Sequence, residues 1–232
     1  MPIERNTRDM GNPQFWDSWW EERISKRRTA MFMFPIVEAP MIKYGGTYVD
    51  VVNSDDLLLA IMSEYGLKKV LCAGNGLSQE PRALARAGYD VTALDLSPKA
   101  SELAKTHEFS PNDFNYFCAP GAERPGGHLD FVVGNFLDTA ACPGPFDVII
   151  ERRTVQLFPE QDLPKALQAL ARRLGNVGIF LSHCNDGAYP SKGRQHFHAS
   201  ESWFREQRWM IWDGAPATTL SGRVAWLLRS SG

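Results

Sequence analysis

Two closely spaced glycines follow an apolar run in the segment AGNGLS, residues 73–78. Gly74 and Gly76 allow the backbone to approach a ligand at the carboxyl end of a predicted strand, where open α/β sheets bind their ligands. The next predicted strand ends on Asp95, whose carboxylate can accept hydrogen bonds from the two hydroxyls of a ribose. Together, these three residues predict a nucleoside site.

The spacing of the glycines distinguishes between nucleoside ligands. A dinucleotide fingerprint needs a third glycine three positions after Gly76, but Gln79 stands there and Glu80 follows it. A carboxylate at a helix start competes with a pyrophosphate for the positive end of the helix dipole. The chain also contains no Gly-x-x-x-x-Gly-Lys-Ser/Thr phosphate loop. An adenosine without phosphates therefore fits better than NAD or a nucleoside triphosphate.

An alternation of strands and helices positions these residues. Apolar runs predict strands at Val70–Ala73, Asp90–Asp95, Leu129–Val133, Asp147–Glu151, Gly178–His183, Met210–Trp212 and Arg223–Arg229. Helical patterns are found at Phe15–Arg28, Ser54–Tyr65, Gln79–Ala87, Pro98–Thr106, Gln161–Leu174 and Ser200–Arg208. This order predicts an α/β fold, a Rossmann-like, doubly wound and mostly parallel sheet with a terminal antiparallel strand pair. Two stretches, 107–128 and 185–199, receive no element.

An aromatic face marks the first predicted helix, because Phe15, Trp16, Trp19 and Trp20 lie at helical spacing. Such a face can pack on the core, or it can close over a bound ligand. The sequence leaves both interpretations open. We take residues 1–53 as an N-terminal helical or lid segment of a single domain spanning 1–232.

Charge and composition limit the partners. A formal net charge of -2 over 232 residues gives no general attraction to nucleic acid or anionic lipid. The longest apolar stretch near the N-terminus, AMFMFPIV, is far shorter than the roughly 20 residues of a membrane span. The four cysteines form no Cys-x-x-Cys pair, which favours reduced thiols. We expect a cytoplasmic protein with a small-molecule partner, and the oligomeric state stays open.

These motifs resemble those of the class I S-adenosylmethionine-dependent methyltransferases. The segment from Lys68 to Ala100 resembles their first motif and the strand that follows it, and VVGNFLD and PFDVII resemble later motifs of the family. The resemblance implies S-adenosyl-L-methionine as cofactor and in-line transfer of its methyl group. It also implies a set of donor-binding residues: Trp16, Trp20, Gly74, Gly76, Asp95, Leu96, Asn135 and Phe136.

Within that class, the chain resembles the thiopurine and thiol methyltransferase-like group. The segments that carry this are FWDSWWEERISKRRTAMF, FDVIIERRTVQLFP and GRQHFHASESWF. This resemblance implies a small-molecule thiol as acceptor, with Trp16 and Trp20 closing over the sulfonium donor. Departures from the family pattern occur at Cys72, Asn75 and Ser78. Methylation of oxygen or nitrogen in a biosynthetic pathway, or donor binding without catalysis, are the alternatives.

Charged and imidazole side chains at the ends of two predicted strands are the candidate catalytic groups. Glu151 could contact the donor or accept a proton, and Arg152 could orient the acceptor. His183 could line the acceptor pocket or act as a base. We expect no metal site, because His183 and Cys184 are adjacent while the other histidine pair lies in an unassigned stretch.

Overall fold

The computed structural model describes residues 11–26, 62–78, 80–106, 126–152, 154–184, 209–212 and 223–229. The helices are α1 (Pro13–Lys26), α2 (Glu80–Arg86), α3 (Pro98–Thr106) and α4 (Leu163–Ala171). The strands are β1 (Lys69–Ala73), β2 (Asp90–Asp95), β3 (His128–Val133), β4 (Phe146–Arg152), β5 (Leu174–Cys184), β6 (Trp209–Trp212) and β7 (Arg223–Arg229). Short 3-10 turns at Val155–Leu157 and Glu160–Asp162 precede α4.

All seven strands form one sheet in the order β3-β2-β1-β4-β5-β7-β6. The neighbours from β3 to β5 are parallel, whereas β7 runs antiparallel to both β5 and β6. The predicted doubly wound sheet with a terminal antiparallel pair is therefore confirmed. The strand order reverses between β1 and β4, and open α/β sheets bind ligands outside the carboxyl ends of the strands at such a point.

Most predicted element boundaries agree with the structure to within a few residues, and β5 is the main exception. We predicted a helix to Leu174 and a strand from Gly178, but α4 ends at Ala171 and β5 already begins at Leu174. The Phe146 N–H donates to the Arg173 carbonyl at 2.8 Å, which draws the chain onto the sheet before the helical pattern ends.

Three other predicted elements either have a different boundary in the structure or lie partly or wholly outside the described residues. His128, which we placed in an unassigned stretch, begins β3. Of the predicted helix Ser54–Tyr65, the structure describes only the last residues, of which 62–64 are helical. The predicted helix Ser200–Arg208 lies outside the described residues.

Among the helices that the structure does describe, none has the length and apolar character needed to cross a bilayer.

Strand β1 separates two hydrophobic clusters, one on each face of the sheet. Leu71 and Ala73 point into a cluster covered by α4, whereas Val70 and Cys72 point into one covered by α2. This alternation follows from the two-residue period of a strand. Because β1 is buried on both faces, its sequence is continuously apolar from Val70 to Ala73, as expected for a central parallel strand.

Arg173 joins the end of α4 to the loop that precedes β4. The residue is 2% exposed, and its guanidinium donates to the carbonyls of Cys142, Ala169 and Asp138 at 2.8, 2.6 and 2.8 Å. Burial lowers the pKa of Arg173 from its ordinary value, because a cation loses hydration there. The side chain nevertheless satisfies three carbonyls at once, one of them in the last turn of α4.

We predict that Arg173→Met destabilises the protein by about 2 kcal/mol or more, because the buried carbonyls of Cys142 and Ala169 lose this donor and buried carbonyls without a donor cost about 1–3 kcal/mol each. Urea unfolding of the purified variant measures this loss. The matched control is Lys165→Met, which removes an exposed cation from α4 and should change the free energy of unfolding by no more than about 0.5 kcal/mol. Equal stability of the two variants would refute the structural role of Arg173.

Candidate functional site

The turn after β1 folds back onto the end of β2. The N–H groups of Gly74 and Asn75 both donate to the Leu94 carbonyl, at 2.8 and 3.2 Å. Gly74 and Gly76 have φ of +65° and +51°, in the left-handed region that glycine adopts without steric cost. The two predicted glycines are thus needed for the shape of the turn itself.

Asp95 lies at the carboxyl end of β2 and faces this turn. One carboxylate oxygen accepts the N–H of Gly76 at 2.6 Å, and the other accepts the N–H of Ser97 at 2.8 Å. Each oxygen has a second lone pair, so the carboxylate retains the capacity to accept from two hydroxyl groups. The Gly-x-Gly turn and the acid predicted from the sequence are therefore brought together by a direct hydrogen bond.

Burial dominates the electrostatics of Asp95. It raises the pKa of the Asp95 carboxyl above the ordinary value of 3.8, because a desolvated carboxylate is costly. Backbone N–H groups of Ser97, Gly76 and Leu96 act in the opposite direction, and the nearby charge of Asp17 raises the pKa further. Leu96, which we predicted at the donor site, thus contributes its backbone to the surroundings of the acid.

Helix α1 packs directly on the turn. Trp20 is 8% exposed and belongs to a hydrophobic cluster with Leu77 and with Ala100 of α3. A Cβ atom on Gly76 would lie 2.7 Å from the indole ring of Trp20. The aromatic face of α1 therefore packs on the core and also covers the predicted ligand turn, so the two interpretations of this face are compatible.

The other aromatic residues of α1 form an edge-to-face series. Ring centroids are separated by 5.2 Å between Phe15 and Trp16, by 5.7 Å between Trp16 and Trp19, and by 4.6 Å between Trp19 and Trp20. Trp16 is half-buried, whereas Trp20 is almost fully buried. A contact of Trp16 with a bound donor stays a prediction.

A second contact of α1 is made by Asp17, which our sequence analysis did not select. Its carboxylate accepts the hydroxyl of Ser97 at 2.5 Å and the N–H of Lys99 at 3.0 Å. The Ser97 hydroxyl in turn accepts the N–H of Ala100 at 3.0 Å, so Ser97 caps α3. The Ser-Pro pair at the helix start is a sequence signal for this cap, but no local pattern pairs it with Asp17.

Asn135 and Phe136 follow β3, beside Asp95. The N–H of Gly134 donates to the Asp95 carbonyl at 2.9 Å, and the Asn135 side-chain oxygen accepts the N–H of Leu137 at 2.9 Å. Phe136 is 7% exposed and packs in the core cluster covered by α4, with its ring centroid 5.4 Å from that of Phe158. Contact of either residue with an adenine ring stays a prediction.

Glu151 is the penultimate residue of β4 and lies beside the first motif, since it pairs with Ala73 in register. The side chain is fully buried, and one carboxylate oxygen accepts the N–H groups of Thr154 and Val155, both at 3.1 Å. The Thr154 hydroxyl then donates to the Gly74 carbonyl at 3.2 Å. Glu151 therefore shapes the turn that supports Gly74, while its predicted role in proton transfer remains untested.

The remaining two candidate catalytic residues lie at the same edge of the sheet. Arg152 of β4 pairs with His183 of β5 in register, so their backbones are neighbours. Their side chains lie outside what the structure describes. In the described parts of the chain, no group of three or more His, Cys, Asp or Glu side chains is placed to hold a metal ion.

Asn75 carries an unsatisfied atom within the turn. Its side-chain nitrogen donates to the Gly76 carbonyl at 3.2 Å, but its side-chain oxygen is buried and has no hydrogen-bond partner among the described residues. Buried polar atoms are normally paired, so an orphaned one needs an explanation. A ligand that brings a hydrogen-bond donor, such as an ammonium or a hydroxyl, would fit this turn.

About half of the chain is similar in sequence to known proteins. Residues 71–182 match the family model described as a methyltransferase domain. Over 112 residues, the chain is 29% identical to magnesium-protoporphyrin O-methyltransferase from Rhodobacter capsulatus. This match covers 48% of the chain and 43% of the relative, so the chain spans less than half the length of that curated protein.

Solved structures share the fold over almost the whole chain. Magnesium protoporphyrin IX methyltransferase from Synechocystis PCC 6803, solved with bound S-adenosylhomocysteine, superposes with a TM-score of 0.60 at 15% identity, covering 94% of this chain and 97% of that one. The plantazolicin methyltransferase BpumL, also with S-adenosylhomocysteine, gives a TM-score of 0.60 at 12% identity and covers 97% of each chain. At these identities the likeness concerns the fold.

We predict that Gly76→Ala destabilises the protein by more than the backbone conformation alone requires. A left-handed residue with a Cβ costs roughly 1–2 kcal/mol, and overpacking against the Trp20 ring adds about 1–3 kcal/mol. The matched control is Gly66→Ala, whose φ is +68° and whose added Cβ meets no atom within 4 Å. Chemical unfolding should show a larger loss for Gly76→Ala, and equal losses would contradict the contact with Trp20.

Proposed function

We propose that this chain, whose residues 71–182 match a methyltransferase domain, is a class I S-adenosylmethionine-dependent methyltransferase that binds S-adenosyl-L-methionine at the turn after β1 and transfers its methyl group to a small molecule. The observation that carries the proposal is the hydrogen bond from the Gly76 N–H to Asp95. It places a carboxylate with remaining acceptor capacity against a turn whose glycines admit a close ligand. The thiol acceptor is a separate question.

We assign each part of the donor to different residues of the chain. In this proposal Asp95 accepts the ribose hydroxyls, and Asn135 and Phe136 lie toward the adenine. The orphaned side-chain oxygen of Asn75 accepts from the amino-acid end of the donor, where an ammonium group is available. The buried face of Trp20 excludes water from the turn. S-Adenosyl-L-methionine itself supplies an electrophilic methyl group and its own leaving group.

Alignment is the main catalytic demand in this reaction. The protein has to hold the acceptor in line with the methyl carbon and the sulfur, and a well-oriented pair gains much of its rate from that alone. Glu151 is fully buried and accepts two backbone N–H groups, which supports a role in shaping the site. An acceptor that is nucleophilic in its ionised form, such as a thiolate or a carboxylate, would need no side-chain base.

Two acceptor classes are supported by different observations. A thiol is implied by the sequence resemblance to the thiopurine and thiol methyltransferase-like group, and the relatives named above give it no support. An oxygen acceptor is favoured by the similarity to a magnesium-protoporphyrin O-methyltransferase. Competition among thiols, carboxylic acids, phenols and amines for methyl transfer would separate these classes. Binding of the donor without turnover across the whole panel would instead favour a non-catalytic donor-binding protein.

We predict that Asp95→Ala weakens S-adenosylhomocysteine binding on the order of 100-fold or more, because hydrogen bonds to a charged group contribute about 1.5–3 kcal/mol each. Calorimetric titration measures the change. The matched control is Asp90→Ala, which removes an exposed acid from the opposite end of β2 and should bind as the unaltered protein does. Absence of binding to the unaltered protein would contradict the proposed function.

The raised pKa of Asp95 also predicts a pH dependence. A protonated carboxyl loses acceptor capacity, so affinity for S-adenosylhomocysteine should be full at neutral pH and fall as the pH approaches the folded pKa from above. Because burial moves the pKa upward, this loss should begin at a higher pH than the ordinary value of 3.8 would give. Titrations from neutral pH downward test this, and a loss of affinity that begins no higher than expected for a carboxyl with the ordinary pKa of 3.8 would count against it.

The raised pKa of Asp95 affects the stability of the fold in the opposite direction from its effect on ligand affinity. The folded protein binds a proton at Asp95 more tightly than the unfolded chain does, so this group's contribution to stability increases as the pH falls through its folded pKa. Ligand affinity and the Asp95 contribution to stability should therefore move in opposite directions in the acid range, which separates loss of binding from acid unfolding in the same samples.

A further inference from the structure

Ser97 connects the first helix to the proposed ribose-binding acid. It is fully buried, its N–H donates to Asp95 at 2.8 Å, and its hydroxyl donates to Asp17 of α1 at 2.5 Å. The same hydroxyl accepts the Ala100 N–H, so each polar group of this side chain is engaged. A single buried residue therefore touches both the acid of the site and the helix that covers it.

Asp17 is placed to hold α1 at the start of α3. Its carboxylate also accepts the Lys99 N–H at 3.0 Å, and a negative charge there is stabilised by the positive end of the α3 dipole. Asp17 lies one helical turn before Trp20, the residue whose indole covers Gly76. Fixing Asp17 thus fixes the position of the ring over the turn.

We infer that Asp17 is a positioning residue for donor binding: through Ser97 and the first turn of α3, it holds α1 closed over the Gly74–Gly76 turn and Asp95. This inference rests on the proposed function, since the donor is the ligand that α1 covers. Asp17 does not itself touch the donor. Its loss opens the helix and lets the bound ligand leave faster, while the hydrogen bonds of Asp95 remain.

The charge of Asp17 gives the pH dependence of ligand binding a contribution that a purely structural role of this residue would not give. Among the charged groups described around Asp95, Asp17 acts on it through its field and raises the pKa of Asp95. Lys99, from α3, directs its ammonium to Glu102 at 3.2 Å. The turn after β1 brings no titratable side chain between Gly74 and Ser78. Removing the Asp17 charge therefore has an effect separate from removing its hydrogen bonds.

Three variants separate these effects. Asp17→Ala removes both the charge and the acceptor, Asp17→Asn keeps an oxygen acceptor without the charge, and Ser97→Ala removes the hydroxyl but keeps the N–H to Asp95. Glu21→Ala is the matched control, because it deletes an exposed acid one turn further along α1. Each is studied as the full chain, with S-adenosylhomocysteine as the ligand and the free energy of unfolding measured in parallel.

The expected results are specific. Asp17→Ala and Ser97→Ala each weaken S-adenosylhomocysteine at least 10-fold, mainly through faster dissociation, and the double variant loses less than the product of the two single losses. Asp17→Asn retains affinity within about 3-fold at neutral pH, and its loss of affinity in acid begins at a lower pH than in the unaltered protein, because a neighbouring negative charge has been removed. Glu21→Ala binds normally.

Each contrary outcome has a distinct meaning. Folded Asp17→Ala that binds as tightly as the unaltered protein overturns the role of Asp17, even if its stability has fallen. If Asp17→Ala does not fold, two results together would overturn this role. Ser97→Ala would bind with normal affinity, and the affinity of Asp17→Asn would begin to fall at the same pH as that of the unaltered protein. If the unaltered protein binds no S-adenosylhomocysteine, both this inference and the proposed function fail, whereas binding that depends on Asp95 but not on Asp17 leaves the proposed function standing.

Discussion

The contact between the Gly76 N–H and the Asp95 carboxylate is the constraint on which the rest of the site depends. It joins residues 19 positions apart and ties the turn after β1 to the end of β2 at 2.6 Å. A carboxylate held by backbone N–H groups cannot rotate freely, so its other lone pairs point in fixed directions. Gly76 itself has a left-handed backbone, as does Gly74 two residues earlier in the same turn.

Helix α1 packs against the same region, namely the turn after β1 and the start of α3. Trp20 rests where a side chain at position 76 would otherwise lie, and Asp17 is bound through Ser97. The packing of Trp20 and the hydrogen bonds of Asp17 are different kinds of interaction, and they hold α1 at two points one helical turn apart. Turn, acid and covering helix therefore form one connected unit, in which Ser97 is the shared residue.

The fold and the ligand turn could be predicted from local pattern, because burial on both faces forces continuous apolar runs at β1 and the left-handed turn requires glycine. The extension of β5 back to Leu174 was missed, since it depends on a hydrogen bond between Phe146 and Arg173. Asp17 was missed for a similar reason: an acid on an amphipathic helix gives no sign of a partner 80 positions away. Contacts of this kind depend on the tertiary fold.

The support of Gly74 by Thr154 restricts how this sequence can diverge. A Cβ at position 74 would lie 2.1 Å from the Thr154 hydroxyl oxygen and 2.6 Å from its Cβ, so any side chain at 74 would require the loss of the one at 154. Even then the left-handed backbone would disfavour it. In evolutionary terms position 154 is free to vary only within the space that the glycine leaves, and the two positions form an epistatic pair across 80 residues.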